Sequence, residues 1–208
     1  MKKDSIAFLS FFTCLCLMVF ASCGGGGGGG GAGNATDDTA FSIGYNANGA
    51  ESGTAPSAQT GNGKEVLSVS DNTGSLAKAG YLFDGWNTSA DGSGADYAPG
   101  ALYNGKNITL YAKWAAIFNY NVINLGSPTP ALDGDQRSPG ISSAVITGLT
   151  DRGRQLSSVN IPDSIDGYTI SSIGANAFQD CSNLTEVTIP NSVTNIGDNA
   201  FNGCTNLS

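Results

Sequence analysis

The sequence contains no histidine, and only 12% of its 208 residues are charged. Without histidine, a Ser-His-Asp triad, a Cys-His pair and a His-ligated metal site are all excluded. Lysine and arginine together number 9 against 17 acidic residues, and the formal net charge is −8. Because phosphate contacts need clustered basic side chains, this balance argues against a nucleic-acid partner. Polarity comes instead from Gly, Ser, Thr and Asn, which favour turns and short strands over long helices.

Residues 1–22 are typical of an export signal. Two lysines near the start precede an apolar run from Ile6 to Phe20. This run is short for a membrane span, which needs about 20 apolar residues, and it fits the apolar region of a signal peptide. Small residues at positions 21 and 22 then precede Cys23, an order that resembles the lipobox of bacterial lipoproteins. The resemblance implies that residues 1–22 are removed and that Cys23 carries the lipid that anchors the protein in a membrane. Cleavage after Ala21 by an ordinary signal peptidase is the alternative.

Residues 23–40 are predicted to form the lipidated cysteine and a flexible tether. Eight consecutive glycines, Gly24 to Gly31, follow the cysteine. A phosphate-binding loop would need a preceding strand and a following Gly-Lys-Ser/Thr, and neither is present. A glycine-rich chain of this length spans about 20–25 Å on average. In a host with two membranes, the lipoprotein resemblance and the Gly after Cys23 imply an outer-membrane or cell-surface location.

Residues 41–114 are predicted to form one small β-rich module. Apolar residues alternate with polar ones from Phe41 to Tyr45 and again from Ile108 to Trp114, the pattern of half-buried strands. Two further short apolar runs, around Leu67 and around Phe83, predict two more strands. Two tryptophans and several other aromatic residues can supply the core of such a small domain.

Three motifs connect this module with a known family. They are Tyr45–Gly49, Gly80–Trp86 and Leu110–Trp114, and they resemble the opening, core and closing motifs of the Listeria–Bacteroides repeat, the internalin B-repeat type module. The resemblance implies a β-grasp-like fold that occurs in tandem on bacterial surface proteins and has no catalytic activity.

Few residues of the module are candidates for chemistry. Trp86 and Trp114 are interpreted as core aromatics, with a sugar-binding platform as the alternative. Asp84, Asp91 and Asp96 form no recognisable general acid/base arrangement, and the loop from 91 to 96 lacks the spacing of a calcium loop. We therefore expect no enzyme activity, no catalytic residue, no metal, no cofactor and no small-molecule substrate.

Residues 115–145 are predicted to be a linker. They contain Pro128, Pro130 and Pro139, with Gly and Asp residues between them, a composition typical of loops. A strand could begin at Phe118 and continue to Leu125, where apolar residues alternate with polar ones.

Residues 146–208 contain an internal repeat. The segment that starts at Ile173 matches the one that starts at Ile196 at an offset of 23 residues, whereas Ile161 and Pro162 match Ile189 and Pro190 at an offset of 28. The difference of five indicates an insertion in the first copy, around 166–170. A period in the low twenties falls in the range of leucine-rich repeats, in which each coil buries its apolar residues against the next.

The repeat pattern resembles the BspA-like leucine-rich repeats of bacterial surface proteins, and Ile189–Leu207 follows it closely. The predicted fold class is therefore mainly β, with a small β-grasp-like module followed by a short, truncated leucine-rich-repeat solenoid. Family members are implicated in adhesion, which implies an extracellular protein or a host or cell-surface ligand as partner. No ligand-binding residue can be carried over, because ligands differ between members.

Two cysteines and the C-terminus of the repeat region leave open questions. Stacked coils would bring Cys181 and Cys204 to about 4.8 Å, which is compatible with a disulfide. Buried free thiols are the favoured interpretation, and two thiols without histidine cannot make a zinc site. The chain stops at Ser208, inside the second copy, so we expect a fragment of a longer array.

The sequence as a whole predicts a lipid-anchored surface protein of the cell envelope. In this interpretation Cys23 anchors the chain, the tether spaces it, the β module acts as a stalk, and the repeats bind a macromolecule in adhesion. The competing hypothesis is a structural or glycan-contacting envelope protein without a specific protein ligand. Solvent exposure of Trp86 or Trp114 would favour glycan contact, whereas burial of both would favour a stalk.

Overall fold

The computed structural model describes residues 39–124 and 142–208. The described residues are nearly all in strands and loops, with a single 3₁₀ turn at Gly153–Gln155, so the mainly-β prediction is confirmed. Among these residues, no helix is long or apolar enough to cross a membrane. The predictions for the export signal, Cys23 and the tether, and for the prolines of the linker, fall outside the described residues.

Seven strands form the N-terminal module, residues 41–116. They are β1 (Phe41–Asn46), β2 (Gln59–Gly61), β3 (Leu67–Ser68), β4 (Tyr81–Asn87), β5 (Asp96–Tyr97), β6 (Leu102–Tyr103) and β7 (Ile108–Ala116). Five of them make one sheet in the order β2-β1-β7-β4-β5, and β3 pairs with β6. The first and last strands, β1 and β7, lie side by side in parallel. This central parallel pair agrees with the β-grasp-like fold expected for the module.

The alternation seen in the sequence determines which face of this sheet is buried. Ile43 on β1 and Leu110 on β7 point into the core with 0% and 1% of their surface exposed. Asn48 and Gly49 follow β1 with positive φ angles of 46° and 76°, a conformation that Asn and Gly adopt more readily than other residues. The chain therefore turns directly after β1.

Seven more strands form the coil stack, the described residues from 118 to 208. They are β8 (Phe118–Asn124), β9 (Ser142–Leu149), β10 (Ser158–Asn160), β11 (Ser164–Ile165), β12 (Tyr168–Ile173), β13 (Glu186–Thr188) and β14 (Asn195–Ile196). Strands β9, β12 and β14 are stacked in parallel, and so are β10 and β13. In the first ladder Ile146 pairs with Ile173, which pairs with Ile196. The solenoid prediction is confirmed, and a coil that starts at β9 precedes the two copies recognised in the sequence.

Equivalent residues of the repeat have equivalent structural roles. The rings of Phe178 and Phe201 are stacked at a centroid distance of 5.0 Å. Asn183 and Asn206 each donate a side-chain hydrogen bond to a carbonyl of the preceding coil, at 3.1 and 2.7 Å. The 23-residue offset therefore corresponds to one turn of the stack.

The described parts of the 115–145 segment lie mostly in strands, and the strand that begins at Phe118 is the one that the alternation of apolar and polar residues indicated. Strand β8 pairs antiparallel with β9 from Phe118 opposite Leu149 to Asn124 opposite Ser142. The physical reason is that β9 would otherwise leave the first coil with an open edge and an uncovered core. Phe118 is only 3% exposed, and its ring lies 6.5 Å from that of Phe178. Strand β8 therefore covers the N-terminal end of the coil stack.

The five-residue insertion forms a β-hairpin. Strands β11 and β12 pair antiparallel through Ile165 and Tyr168, and the two residues between them, Asp166 and Gly167, have positive φ angles of 50° and 85°. Two-residue turns of this kind favour Asp-Gly, because both positions need a left-handed backbone. The insertion thus lengthens one coil and projects Asp166 at the tip of the hairpin.

The described residues, 39–124 and 142–208, belong to one compact unit. Trp86, Ile43 and Leu110 lie at the centre of the core of the N-terminal module. The core of the coil stack extends into that module, because Tyr81 and Leu82 of β4 pack against it. The two regions consequently share a buried boundary.

Candidate functional surfaces

The outward side of the β9-β12-β14 ladder is the main candidate binding surface of the coil stack. Val145, Ser172 and Asn195 lie side by side on these strands, and Thr147 and Thr169 are exposed beside them. We call these five residues the ladder face. None of the three strands contains a charged residue, so the ladder face can recognise a partner through hydroxyl and amide hydrogen bonds and shape.

Trp86 lies in the core of the N-terminal module. Its surface is 0% exposed, and its indole N–H donates a 2.8 Å hydrogen bond to the carbonyl of Ser70. The rings of Tyr45 and Phe83 pack edge-on against it at 4.8 and 5.1 Å. The interpretation of Trp86 as a core aromatic is confirmed.

Trp114 is only partly buried, and it lines a cleft. Its indole N–H donates a 2.8 Å hydrogen bond to the carbonyl of Asn48, which fixes the ring. The cleft has a volume of about 440 Å³, and Tyr81 and Lys113 also line it. Trp114 therefore both supports the module and borders a polar surface recess. It is neither a fully buried core aromatic nor a fully exposed sugar-binding platform.

The three carboxylates singled out in the sequence have structural partners. Asp84 forms a 3.1 Å ion pair with Arg152. The hydroxyl of Ser93 donates to Asp91 at 2.7 Å, and the ammonium of Lys113 donates to Asp96 at 2.5 Å. These hydrogen bonds hold the pKa of Asp91 and of Asp96 below the ordinary value. Lowered values keep a carboxylate charged, whereas a general acid needs a raised one.

The described residues contain no group of three or more His, Cys, Asp or Glu side chains that could hold a metal ion. Cys181 and Cys204 are free thiols. The thiol of Cys204 donates a 3.0 Å hydrogen bond to the carbonyl of Phe178, and burial raises the pKa of Cys181. A raised pKa disfavours the reactive thiolate, so the buried thiol of Cys181 acts as a packing group.

Ile117 joins the two regions without a spacer. Its backbone N–H donates to the carbonyl of Gly80 at 2.9 Å, and its own carbonyl accepts from the N–H of Thr150 at 3.0 Å. The hydroxyl of Thr150 also donates to the carbonyl of Ala116, at 2.6 Å. The side chain of Ile117 belongs to the core of the coil stack. The backbone between β7 and β8 is thus held on both sides.

Asp166 forms the polar centre of this boundary. One of its carboxylate oxygens accepts hydrogen bonds from the hydroxyls of Tyr81, at 2.5 Å, and Tyr120, at 2.8 Å. The ammonium of Lys78 lies 3.2 Å from the other oxygen and 4.1 Å from the centroid of the Tyr81 ring. Residues of the N-terminal module, of β8 and of the β11–β12 hairpin therefore meet at one carboxylate.

These contacts set the ionisation of the groups involved. Burial alone would raise the pKa of Asp166, but the hydrogen bonds from Tyr81, Tyr120 and Lys78 outweigh it and lower the pKa. Burial and the bond to Asp166 raise the pKa of Tyr81 above its ordinary value and that of Tyr120 to about 12. At neutral pH the carboxylate is charged and both phenols remain donors. The sequence analysis did not identify Asp166 and its partners as a cluster, although the insertion and its Asp-Gly pair were visible in the sequence.

Two family models match the chain. Residues 41–113 match the Listeria-Bacteroides repeat domain, and residues 152–208 match the BspA type leucine rich repeat region. The chain carries both repeat types. The N-terminal module is the Listeria–Bacteroides repeat, and the coil stack contains the BspA-type repeats, preceded by β8 and β9. Both repeat types indicate a protein of the cell surface or envelope.

Two curated proteins of Evansella cellulosilytica are similar to this chain. One bears the name "Putative Gly-rich membrane protein" and is 33% identical over 155 residues, which are 70% of this chain and 16% of that protein. The other, "Putative membrane protein", is 31% identical over 145 residues, which are 64% of this chain and 22% of that protein. The chain thus spans less than a quarter of the length of either relative. No solved structure matches it significantly.

Proposed function

We propose that this protein is a lipoprotein of the cell envelope that binds a macromolecule in adhesion through its coil stack. Cys23 carries the acyl chains, and the glycine-rich segment spaces the fold from the membrane. In a host with two membranes the protein lies in the outer membrane or on the cell surface. The order of residues at positions 21–23, the two surface-protein repeat types and the membrane proteins among the relatives support this proposal.

The observation that carries the binding role is the ladder face. A stack of parallel strands presents side chains at regular steps of about 4.8 Å, and Val145, Ser172 and Asn195 occupy successive steps. An uncharged surface of this kind suits a partner that offers backbone amides or hydroxyls. The N-terminal module then serves as a stalk that holds the ladder face in a fixed orientation.

The anchor is tested by intact-mass analysis of the membrane fraction, comparing the wild-type protein with a Cys23→Ala variant. We expect a mature chain that starts at Cys23 with added acyl mass, and loss of membrane association in the variant. An unmodified chain that starts at Ser22 would contradict the lipoprotein assignment.

The binding role is tested by retention of cells that display the protein on a plate coated with serum proteins. Ser172→Arg places a bulky charge in the middle of the ladder face and should reduce retention severalfold. Thr188→Arg, on an exposed position of β13, is the matched control and should leave retention unchanged. Equal retention by both variants and wild type would contradict binding through the ladder face to this coating.

The partly exposed Trp114 favours a second candidate, a glycan-contacting envelope protein without a specific protein ligand. Aromatic rings beside polar side chains are typical of sugar sites, and the cleft places Trp114 beside Tyr81 and Lys113. The test is a tryptophan-fluorescence titration with peptidoglycan fragments. A saturable change that disappears in a Trp114→Phe variant would support this candidate, and no change in the wild-type protein would reject it for this glycan.

A further inference from the structure

The free sheet edges of the described residues differ greatly in length. Strands β2, β5, β11 and β14 each end a sheet or ladder and contain two or three residues. Strand β8 also ends its sheet, and it contains seven. Natural proteins often keep edge strands short, which prevents unwanted strand pairing. Strand β8 is an edge strand that is not short.

Strand β8 also lacks the charged and proline residues that protect many sheet edges. Its sequence, Phe-Asn-Tyr-Asn-Val-Ile-Asn, contains no charge, no proline and no glycine. Uncharged segments of this length with aromatic and β-branched residues have a high tendency to pair with a like strand. Asn121 is exposed, and Val122 and Ile123 are 39% and 40% exposed. The edge therefore offers apolar side chains together with backbone donors and acceptors.

Among the described strands, β8 pairs only with β9, which occupies its inner edge along the whole strand and leaves its outer edge without a partner strand in this part of the chain. The register of that pair shifts once, between Asn119 and Tyr120. From Tyr120 to Asn124 the pairing is regular, so the outer edge of this stretch can accept a further strand.

We propose that the outer edge of β8 pairs antiparallel with β8 of a second copy of this chain. A twofold axis at Asn121 places Tyr120 opposite Val122 of the partner and Asn119 opposite its Ile123. Aromatic and β-branched residues are favourable neighbours across strands, and a twofold arrangement forms each pair twice. A second copy fits this edge because β8 contains no charged residue, so that two copies of the strand bring no like charges into contact although the chain as a whole has a net charge of −8.

The test is disulfide trapping of an Asn121→Cys variant of the full chain, in the membranes of the cells that express it. Residues directly opposite each other in an antiparallel pair have Cα atoms about 4.5–5.5 Å apart, within the range for a disulfide. Copper phenanthroline takes two electrons from the two thiols, which release two protons as the S–S bond forms. We expect a dimer of twice the chain mass on a non-reducing gel, well above the background that the native cysteines give in wild type.

Two further variants make the result specific. Leu102→Cys, at a residue that is 74% exposed in the N-terminal module, is the matched control and should give only background. Adding Ile123→Lys to Asn121→Cys brings two lysines close to the twofold axis and should lower the dimer yield severalfold. An Asn121→Cys yield no higher than that of Leu102→Cys, a yield unaffected by Ile123→Lys, or a cross-link to a protein of another mass would each overturn the proposal.

Discussion

The N-terminal module and the coil stack are both made of strands, but they close their cores in opposite ways. The module pairs its first strand with its last, so that Ile43 lies beside Ile108, 65 positions away in the sequence. The stack pairs each coil with the next one, as Ile173 does with Ile196. The module therefore forms as a whole, whereas the stack is a sum of similar neighbouring contacts.

This difference determines which substitutions should destabilise each region most. In the module, the ring contacts converge on Trp86, which touches both Tyr45 and Phe83. In the stack, the contribution of a residue to stability depends on which coil contains it, because inner coils are covered on both sides. At the boundary, the contacts of Asp166 make each region depend on the other.

The largest effect is expected from Trp86→Ala. The substitution removes a fully buried ring and its hydrogen bond to Ser70, and should lower the free energy of unfolding by about 3–5 kcal/mol. Urea denaturation followed by far-ultraviolet circular dichroism measures the loss. A loss below 1 kcal/mol would mean that the module core does not depend on this ring.

Phe178→Ala and Phe201→Ala compare one repeat position in two coils. Phe178 is 0% exposed and lies between Phe118 and Phe201, so its loss should cost about 3–5 kcal/mol. Phe201 is only half-buried and should cost less than half as much. The same denaturation measurement tests both, and equal losses would contradict the dependence on coil position.

Gly80→Ala tests the boundary. Gly80 has a φ angle of +78°, and an added Cβ would lie 2.9 Å from side-chain carbons of Ile165 in the β11–β12 hairpin. Backbone strain and this clash together should destabilise the protein by about 1–3 kcal/mol. Gly92→Ala is the matched control, because its φ angle of +77° is similar and nothing lies within 4 Å of the added Cβ. If both variants lose the same stability, the contact with Ile165 contributes nothing to the free energy of unfolding.

Asp166→Asn should give the smallest loss, roughly 1 kcal/mol, because the amide keeps an acceptor but loses the charge. The pKa of Asp166 is lowered in the folded state, so the contribution of the carboxylate is present above the ordinary aspartate value near pH 4. It is lost as the pH falls through the lower folded value. The stability difference between wild type and variant should therefore be constant from about pH 5 to 8 and shrink below about pH 4. A difference that stays constant down to pH 2 would contradict the role of the charge.

Much of the fold was predictable from local patterns. The alternation around Ile43 and Leu110 predicts strands, and the aromatic motif at Gly80–Trp86 predicts the core. The 23-residue offset predicts the stack, because equivalent residues such as Asn183 and Asn206 make equivalent contacts. These features depend on residues that are close in the sequence or that recur regularly.

The boundary was not predictable in the same way. Strand β9 belongs to the first coil, but its sequence lacks the repeat signature and only Ile146 occupies a repeat position. The alternation from Phe118 indicated strand β8, but the prolines that follow it indicated a linker, so its pairing with β9 was not expected. The partners of Asp166 are Lys78, Tyr81 and Tyr120, and only the three-dimensional arrangement brings them together. The insertion around 166–170, which interrupts the repeat, is the one feature of the sequence that indicates the boundary between the N-terminal module and the coil stack.

Because the N-terminal module and the coil stack share a buried boundary, we expect them to unfold as one cooperative unit. Hydrogen exchange of the full chain at increasing urea, read by mass spectrometry on peptides from β4 and from β12, measures this directly. We expect the protected amides of both strands to open with the same free energy, and Gly80→Ala to lower both together. Opening of β12 at a distinctly lower free energy than β4, with β4 unaffected by the loss of the stack, would show that the two regions unfold independently and would contradict a single cooperative unit.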